Sequence, residues 1–79
     1  MRLDKFLKVS RLIKRRPVAN EACDNGRVML NGKTAKASSV VKPGDMLEIT
    51  FGNKTVKVKI IQVAENVKKQ DTADIYEII

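Results

Sequence analysis

The side chains best suited to chemistry in this sequence are cations crowded at its N-terminus. Residues 1–16 carry seven basic groups and one acidic group, a formal charge of +6 (seven minus one) out of +7 for the 79 residues. The remaining 63 residues hold nine basic and eight acidic groups and add only +1. Concentrated positive charge attracts polyanions, and phosphate contacts release counterions, so binding should be strong and salt-dependent. The pattern favours nucleic acid as the partner of Arg2, Lys5, Lys8, Arg11, Lys14, Arg15 and Arg16.

Charge alone leaves two other uses of this segment open. A lysine-rich helix face can simply be solvated and keep the protein soluble. Four of the seven cations are arginines, however, and a planar guanidinium binds phosphate through two parallel hydrogen bonds, which a lysine ammonium does not. An anionic membrane surface or an acidic protein would also attract the segment, but its apolar stripe of Leu3, Phe6 and Leu7 is short and is expected to belong to the core.

Residue types that perform catalysis are scarce. The chain has no histidine, the commonest general base, and Asp4 has no second carboxylate nearby to share acid/base work. Asp4 is expected instead to orient a neighbouring arginine or to stabilise the start of a helix. Cys23 is the only cysteine, which excludes an internal disulfide and a thiolate zinc cluster and favours a packed thiol. We therefore expect no enzyme activity, no metal and no cofactor.

Length and hydropathy bound the class of protein. A chain of 79 residues is expected to form a single domain. Its apolar runs are far shorter than the roughly 20 residues that span a bilayer. Lys8, Arg11 and Lys14 interrupt any secretory signal at the N-terminus. The sequence therefore predicts a cytoplasmic protein with no membrane partner.

Helical periodicity dominates the first third of the chain. Leu3, Phe6 and Leu7 form an i, i+3, i+4 stripe, which predicts a helix over about residues 2–10, followed by apolar contacts from Leu12 and Ile13. Pro17 suits the first position of a second helix, which should end at Asn25-Gly26. Its expected buried stripe consists of Val18, Ala19, Ala22 and Cys23. Lys14, Arg15 and Arg16 then lie at the elbow between the helices, near the electropositive start of the second helix, and are the best candidate binding site.

Strand periodicity follows after Gly26. Val28 and Leu30 alternate with Arg27 and Met29 before Asn31-Gly32, a strong two-residue hairpin signal. Residues 42–45 predict a turn, and strands are expected in which Leu47, Ile49 and Phe51, and then Val56, Val58 and Ile60, face the core. Residues 64–73 predict a polar loop, and residues 75–79 a last short strand. Because both phenylalanines fall on predicted core faces, base stacking should be minor, and recognition of folded RNA by its shape and phosphates is expected.

Several short motifs, in order, resemble the S4 RNA-binding domain family. They are Arg2-Leu3-Asp4-Lys5, Lys14-Arg15-Arg16, Ala19, Gly26-Arg27-Val28, Asn31-Gly32-Lys33 and Lys42-Pro43-Gly44-Asp45. The resemblance implies an α+β, S4-like (alpha-L) fold, with two N-terminal helices packed on a small, mostly antiparallel sheet. Residues 1–79 would form one domain, with the motif core at 2–50 and a C-terminal strand extension at 51–79. Arg2 and Lys5 would lie on the RNA-facing side of the helical pair, and Lys33 would make a secondary contact beside the hairpin.

Within that family the sequence is similar to two free-standing branches, the fifteen-kilodalton heat-shock proteins and the shorter bacterial ribosome quality-control factors. The second resemblance implies binding to rRNA and tRNA on large ribosomal subunits obstructed by peptidyl-tRNA, while a partner of the RqcH type extends the stalled chain. It also implies a monomer away from the ribosome. The alternatives are a general rRNA- or tRNA-binding module in ribosome assembly or RNA modification, and an accessory domain of an RNA-modifying enzyme. The short chain argues against the last of these.

One position departs from the family pattern. The wider family usually has serine or threonine where this chain has Arg15, and such a residue could cap the second helix. Losing the cap should destabilise the helix by about 1 kcal/mol. A phosphate contact made by Arg15 would offset this loss in the RNA complex.

Overall fold

Two short helices precede a five-stranded antiparallel sheet in the computed structural model, which describes residues 1–63 and 75–79. The helices are α1 (Leu3–Val9) and α2 (Arg16–Asp24), and the strands are β1 (Val28–Leu30), β2 (Lys33–Thr34), β3 (Met46–Phe51), β4 (Lys54–Ile60) and β5 (Tyr76–Ile78). The strand order is β2-β1-β3-β4-β5, and each neighbouring pair is antiparallel. The predicted α+β fold is confirmed.

The first helix forms because one of its faces is entirely apolar. Leu3, Phe6 and Leu7 have no exposed surface and pack against the sheet. The helix ends at Ser10, whose buried hydroxyl donates to the carbonyl of Leu7 at 3.2 Å. Arg11 then adopts a left-handed conformation with φ of 63°. This residue turns the chain from α1 into the elbow, residues 11–15.

The second helix buries a narrower stripe than the sequence predicts. Ala19 and Cys23 are buried and Ala22 is partly buried, but Val18 is 48% exposed, so its assignment to the core was wrong. Successive helix residues are about 100° apart around the axis, so Val18 falls beside the Ala19 and Cys23 stripe. Gly26, with φ of 70°, ends the helical segment as expected.

Two tight turns set the register of the sheet. Asn31 and Gly32 both have positive φ, 52° and 81°, which is the type I′ geometry that matches the twist of a hairpin. Gly44, with φ of 92°, follows Pro43 in the second predicted turn. Strands β3 and β4 then pair from Met46 opposite Lys59 to Phe51 opposite Lys54.

The core lies between α1, α2 and one face of this sheet. Leu47, Ile49, Val58 and Ile60 are fully buried, as the strand pattern predicts, while Lys57 and Lys59 lie on the outer face. The last strand is confirmed at β5. The polar loop predicted for residues 64–73 lies outside the described residues. None of the described helices is long and apolar enough to cross a membrane.

Phe51 is the second correction, because it is 43% exposed although it shares a strand face with Leu47 and Ile49. Helix α1 has seven residues and is therefore about 10 Å long, whereas the seven residues of β4 extend about 23 Å. Helices this short cannot cover the whole length of the longest strands. Phe51, on the core face at the end of β3, is therefore left open to solvent, whereas Ile60 at the end of β4 is fully buried.

Candidate nucleic-acid interface

A buried carboxylate lies at the centre of the basic surface. Asp4 is 1% exposed in the first turn of α1, and both of its oxygens accept hydrogen bonds from arginines. Arg2 donates from Nε to Oδ1 at 3.2 Å and from Nη2 to Oδ2 at 3.4 Å. Arg16 donates from Nε to Oδ2 at 3.2 Å and from Nη2 to Oδ1 at 3.4 Å. The predicted role of Asp4 in orienting a neighbouring arginine is therefore confirmed, for two arginines from different elements.

Two uncharged donors complete the shell of this carboxylate. The side-chain amide of Asn20 donates to Oδ2 at 2.9 Å, and the backbone N–H of Lys5 donates to Oδ1 at 2.8 Å. Burial by itself raises the pKa of Asp4, but hydrogen bonds from Arg16, Asn20 and Lys5, with the charge of Arg16, outweigh it and lower the pKa. Asp4 therefore stays ionised and holds its arginines at neutral pH. We name this group, Arg2, Asp4, Arg16 and Asn20, the Asp4 cluster.

Sequence reasoning missed Asn20. Its amide also donates to the backbone carbonyl of Arg16 at 3.1 Å, so it ties the Asp4 cluster to the first turn of α2. The available signal was its position four residues after Arg16, which places both side chains on one helix face. Asn20 therefore links the carboxylate of Asp4 to the helix that carries Arg16.

The elbow presents the remaining cations of the binding-site prediction to solvent. Arg11, Lys14 and Arg15 are exposed. Arg15 occupies the N-cap position of α2 in an extended conformation and makes no side-chain capping hydrogen bond. The elbow and the Asp4 cluster together bring four arginines to the junction of the two helices.

The other predicted contacts lie at varying distances from this junction. Lys5 and Lys8 are on α1, Lys5 half-buried and Lys8 exposed. Lys33 is exposed on the edge strand β2, outside the helical pair. The eight predicted RNA contacts thus form a cluster of seven on the helical pair and one separate residue on the sheet, and their binding role stays a prediction.

A second buried carboxylate, Asp45, sits on the sheet side of the molecule. It is 5% exposed and accepts from the Asn31 side-chain amide at 3.2 Å and from the Lys42 backbone N–H at 3.0 Å. The Asn31 side-chain oxygen in turn accepts from the Met46 backbone N–H at 2.9 Å. This Asp45 cluster, Asn31, Lys42, Asp45 and Met46, joins the hairpin turn to the start of β3.

Two further features concern chemistry away from the cations. Burial, with the charges of Asp4 and Asp24, raises the pKa of the Cys23 thiol to about 11, so it is protonated and packed at neutral pH, as expected. A groove of about 320 Å³ lies between α2 and the β3–β4 turn, and the exposed side chains of Val18 and Phe51 line it. No pattern in the sequence indicates this groove, because Val18 and Phe51 both fall on predicted core faces.

Comparison with known proteins identifies relatives over the whole chain. The sequence profile described as the S4 domain matches residues 1–47. Two proteins named "RQC P-site tRNA stabilizing factor" are similar to this chain. The one from Halalkalibacterium halodurans is 58% identical over 78 residues, covering 99% of this chain and 89% of the relative. The one from Bacillus subtilis is 56% identical over 79 residues, covering 100% of this chain and 92% of the relative.

The fold has a solved counterpart as well. The structure of Vibrio cholerae heat shock protein 15, described as trimeric, superposes with a TM-score of 0.92 at 26% identity. It covers 100% of this chain and 81% of the other. The predicted resemblance to both free-standing branches of the family is confirmed.

Proposed function

The chain belongs to the S4 domain family, and from that premise we propose that it is a ribosome-associated RNA-binding factor that stabilises P-site tRNA in ribosome-associated quality control. It binds rRNA and tRNA on large ribosomal subunits obstructed by peptidyl-tRNA, in the cytoplasm. The relatives whose names state this role support the proposal, as does the resemblance of the sequence to the shorter bacterial ribosome quality-control factors, such as RqcP.

The observation that carries the proposal is the Asp4 cluster. Each guanidinium has five N–H donors, of which Asp4 engages two through Nε and Nη2. The others remain available, and the Arg2 and Arg16 side chains are 52% and 42% exposed. Because Asp4 already restricts both side chains, less rotamer entropy is lost when they bind phosphate. The cluster therefore offers two oriented phosphate-binding groups before RNA arrives.

The elbow supplies the larger electrostatic contribution. Arg11, Lys14 and Arg15 carry no carboxylate partner among the described ion pairs, so their charges act on the RNA at full strength. The packing of α1 on α2 fixes the positions of these cations relative to one another. It therefore sets the spacing of the phosphates that the protein can contact together. The protein thus recognises folded RNA by geometry and charge and performs no reaction of its own.

In the proposed physiological role, the chain binds the large subunit together with a second protein. The chain would hold the tRNA on the obstructed subunit while an RqcH-type factor adds residues to the stalled nascent chain. It would need neither metal nor cofactor for that task and would be a monomer when released. The candidate contacts are Arg2, Lys5, Lys8, Arg11, Lys14, Arg15, Arg16 and Lys33.

Sucrose-gradient sedimentation of the tagged chain tests the proposal. We expect enrichment on large subunits that carry peptidyl-tRNA over empty large subunits. Association with small subunits or with free RNA alone would contradict it and favour ribosome assembly or RNA modification instead. Salt titration gives a second readout: if about five phosphates are contacted, log affinity should fall against log salt with a slope of about −3.5 to −4.5. A flat response would contradict the electrostatic mechanism.

A further inference from the structure

Phe51 is an aromatic side chain left open at the end of a core strand. It is 43% exposed, while Leu47 and Ile49 on the same strand face have no exposed surface. Lys54 lies directly opposite it in the β3–β4 pair and is also exposed. An aromatic ring beside a cation at a surface is the combination that binds unpaired bases of nucleic acids.

The groove beside this ring has the composition of a small ligand site. Its volume of about 320 Å³ is at the low end of the range for ligand pockets. Val18, Ala22 and Phe51 supply apolar surface, and Glu21, Asn25 and Arg27 supply charged and amide groups. The lining therefore offers an aromatic ring and other apolar surface together with hydrogen-bonding groups.

We propose that this groove takes one unpaired nucleobase of the bound RNA, which stacks on Phe51. The carboxylate of Glu21 can accept from an exocyclic amino group, and the amide of Asn25 can both donate and accept at the base edge. Arg27 and Lys54 supply positive charge for the flanking phosphates. The inference rests on the proposed RNA-binding function and adds a contact with a base to contacts with the backbone.

Continuity with the elbow favours RNA as the occupant. Ile13 lines the groove at its elbow end, and Lys14 and Arg15 follow it directly in the chain. An RNA backbone held by those cations therefore passes the mouth of the groove. Arg27 in the lining, Lys54 opposite Phe51 and the cations of the elbow complement a polyanion better than an apolar peptide.

Two RNAs and one fluorescent base test the inference with the unaltered protein. The probes are an RNA duplex and the same duplex with one bulged nucleotide, 2-aminopurine. We expect tighter binding to the bulged RNA and quenching of the 2-aminopurine as it stacks. Equal affinities without quenching would overturn the inference and leave the proposed function intact, whereas failure to bind either RNA would overturn both.

Variants then assign the contact to the ring. Phe51→Ala should weaken binding to the bulged RNA at least about fivefold, the low end of the effect of one stacked base, and leave duplex affinity unchanged. Phe51→Trp should restore it. Ile61→Ala is the matched control, since Ile61 is 44% exposed at the other end of β4, and it should change neither affinity. If Phe51→Ala weakened association with ribosomal subunits but neither RNA affinity, the occupant would be a protein and the inference wrong.

Discussion

Asp4 and Asp45 are both buried, yet they are surrounded by different kinds of donor. The donors to Asp4 include two half-exposed arginine side chains, whereas Asp45 accepts from an asparagine amide and a backbone N–H. The hydrogen bonds of the Asp45 cluster therefore serve only to stabilise the fold. In the Asp4 cluster, the guanidinium groups of Arg2 and Arg16 keep further N–H donors exposed to solvent. A buried carboxylate therefore fixes a turn in the Asp45 cluster and positions surface charge in the Asp4 cluster.

The backbone shows the same contrast. Each region has one residue other than glycine with positive φ, Asn31 in the hairpin and Arg11 in the elbow. Asparagine tolerates this conformation well, but a long side chain such as arginine is destabilised there. The elbow also places Arg15 at a helix N-cap without a capping hydrogen bond. The hairpin obeys local preferences, whereas the elbow departs from them at two of its cations, Arg11 and Arg15.

The largest expected effect is a loss of RNA affinity when positive charge is removed from the junction of the two helices. Replacing Arg11, Lys14, Arg15 and Arg16 with glutamine should lower RNA affinity by about two to three orders of magnitude at physiological salt, because four phosphate contacts are lost. The control replaces Lys36, Lys42, Lys57 and Lys59, which are exposed and lie outside the two helices and the elbow, and also leaves a net charge of +3 (seven minus four). Equal losses in filter-binding titrations of the two folded variants would show that only net charge matters.

The contrast was partly visible in the sequence. The helix stripe, the two turns and the strand alternation predicted the fold, because each is a local property of neighbouring residues. The sequence also indicated that Asp4 orients an arginine, but the partner Arg16 is twelve positions away, and only the packing of α1 on α2 brings them together. Exposure of Val18 and Phe51 could not be predicted in this way, since periodicity gives the face of an element and not how far the covering layer extends.

The second effect compares the two carboxylates directly. Asp45→Ala should destabilise the fold by about 2–3 kcal/mol, because the Asn31 amide and the Lys42 N–H lose their acceptor. RNA affinity of the folded protein should stay unchanged. Chemical unfolding and a titration of the folded fraction measure the two quantities separately.

Asp4→Ala should instead lower both the stability of the fold and the RNA affinity. The freed Arg2 and Arg16 are half-exposed and regain water, but the Asn20 amide and the Lys5 N–H lose their acceptor, so the loss of stability should be about 2–3 kcal/mol, as for Asp45→Ala. Affinity should fall several-fold although the net charge rises to +8 (seven plus one), because ordering two free side chains costs more than one extra charge returns. Increased affinity would show that Asp4 does not orient the arginines for RNA.

Acid should weaken the Asp4 cluster in a defined direction. The folded-state pKa of Asp4 is below its ordinary value of 3.8, so the unfolded chain binds more protons in that window. The stabilisation by the ionised carboxylate is complete well above pH 3.8 and is lost as pH falls towards the folded-state pKa. Comparing the pH dependence of unfolding with that of Asp4→Asn isolates this contribution, which should be absent in the variant. Arg16→Gln, which removes a main cause of the lowered pKa, should move the loss to higher pH.

A smaller effect is expected at the uncapped helix start. Arg15→Thr restores a capping hydroxyl at the N-cap of α2 and should stabilise the fold by about 1 kcal/mol. It also removes one cation, which should lower RNA affinity by about fivefold. Thermal unfolding and an RNA titration should therefore change in opposite directions. Unchanged affinity would leave Arg15 without a binding role.

The smallest effect concerns the left-handed residue of the elbow, where two substitutions separate backbone from charge. Arg11→Gly and Arg11→Ala both remove the cation, so both should weaken RNA binding by a similar factor of about five. Only glycine relieves the strain at φ of 63°, so Arg11→Gly should be more stable than Arg11→Ala by about 0.5–1 kcal/mol. If Arg11→Gly were no more stable than Arg11→Ala, the backbone at position 11 would not be strained, and the cation there would not destabilise the fold.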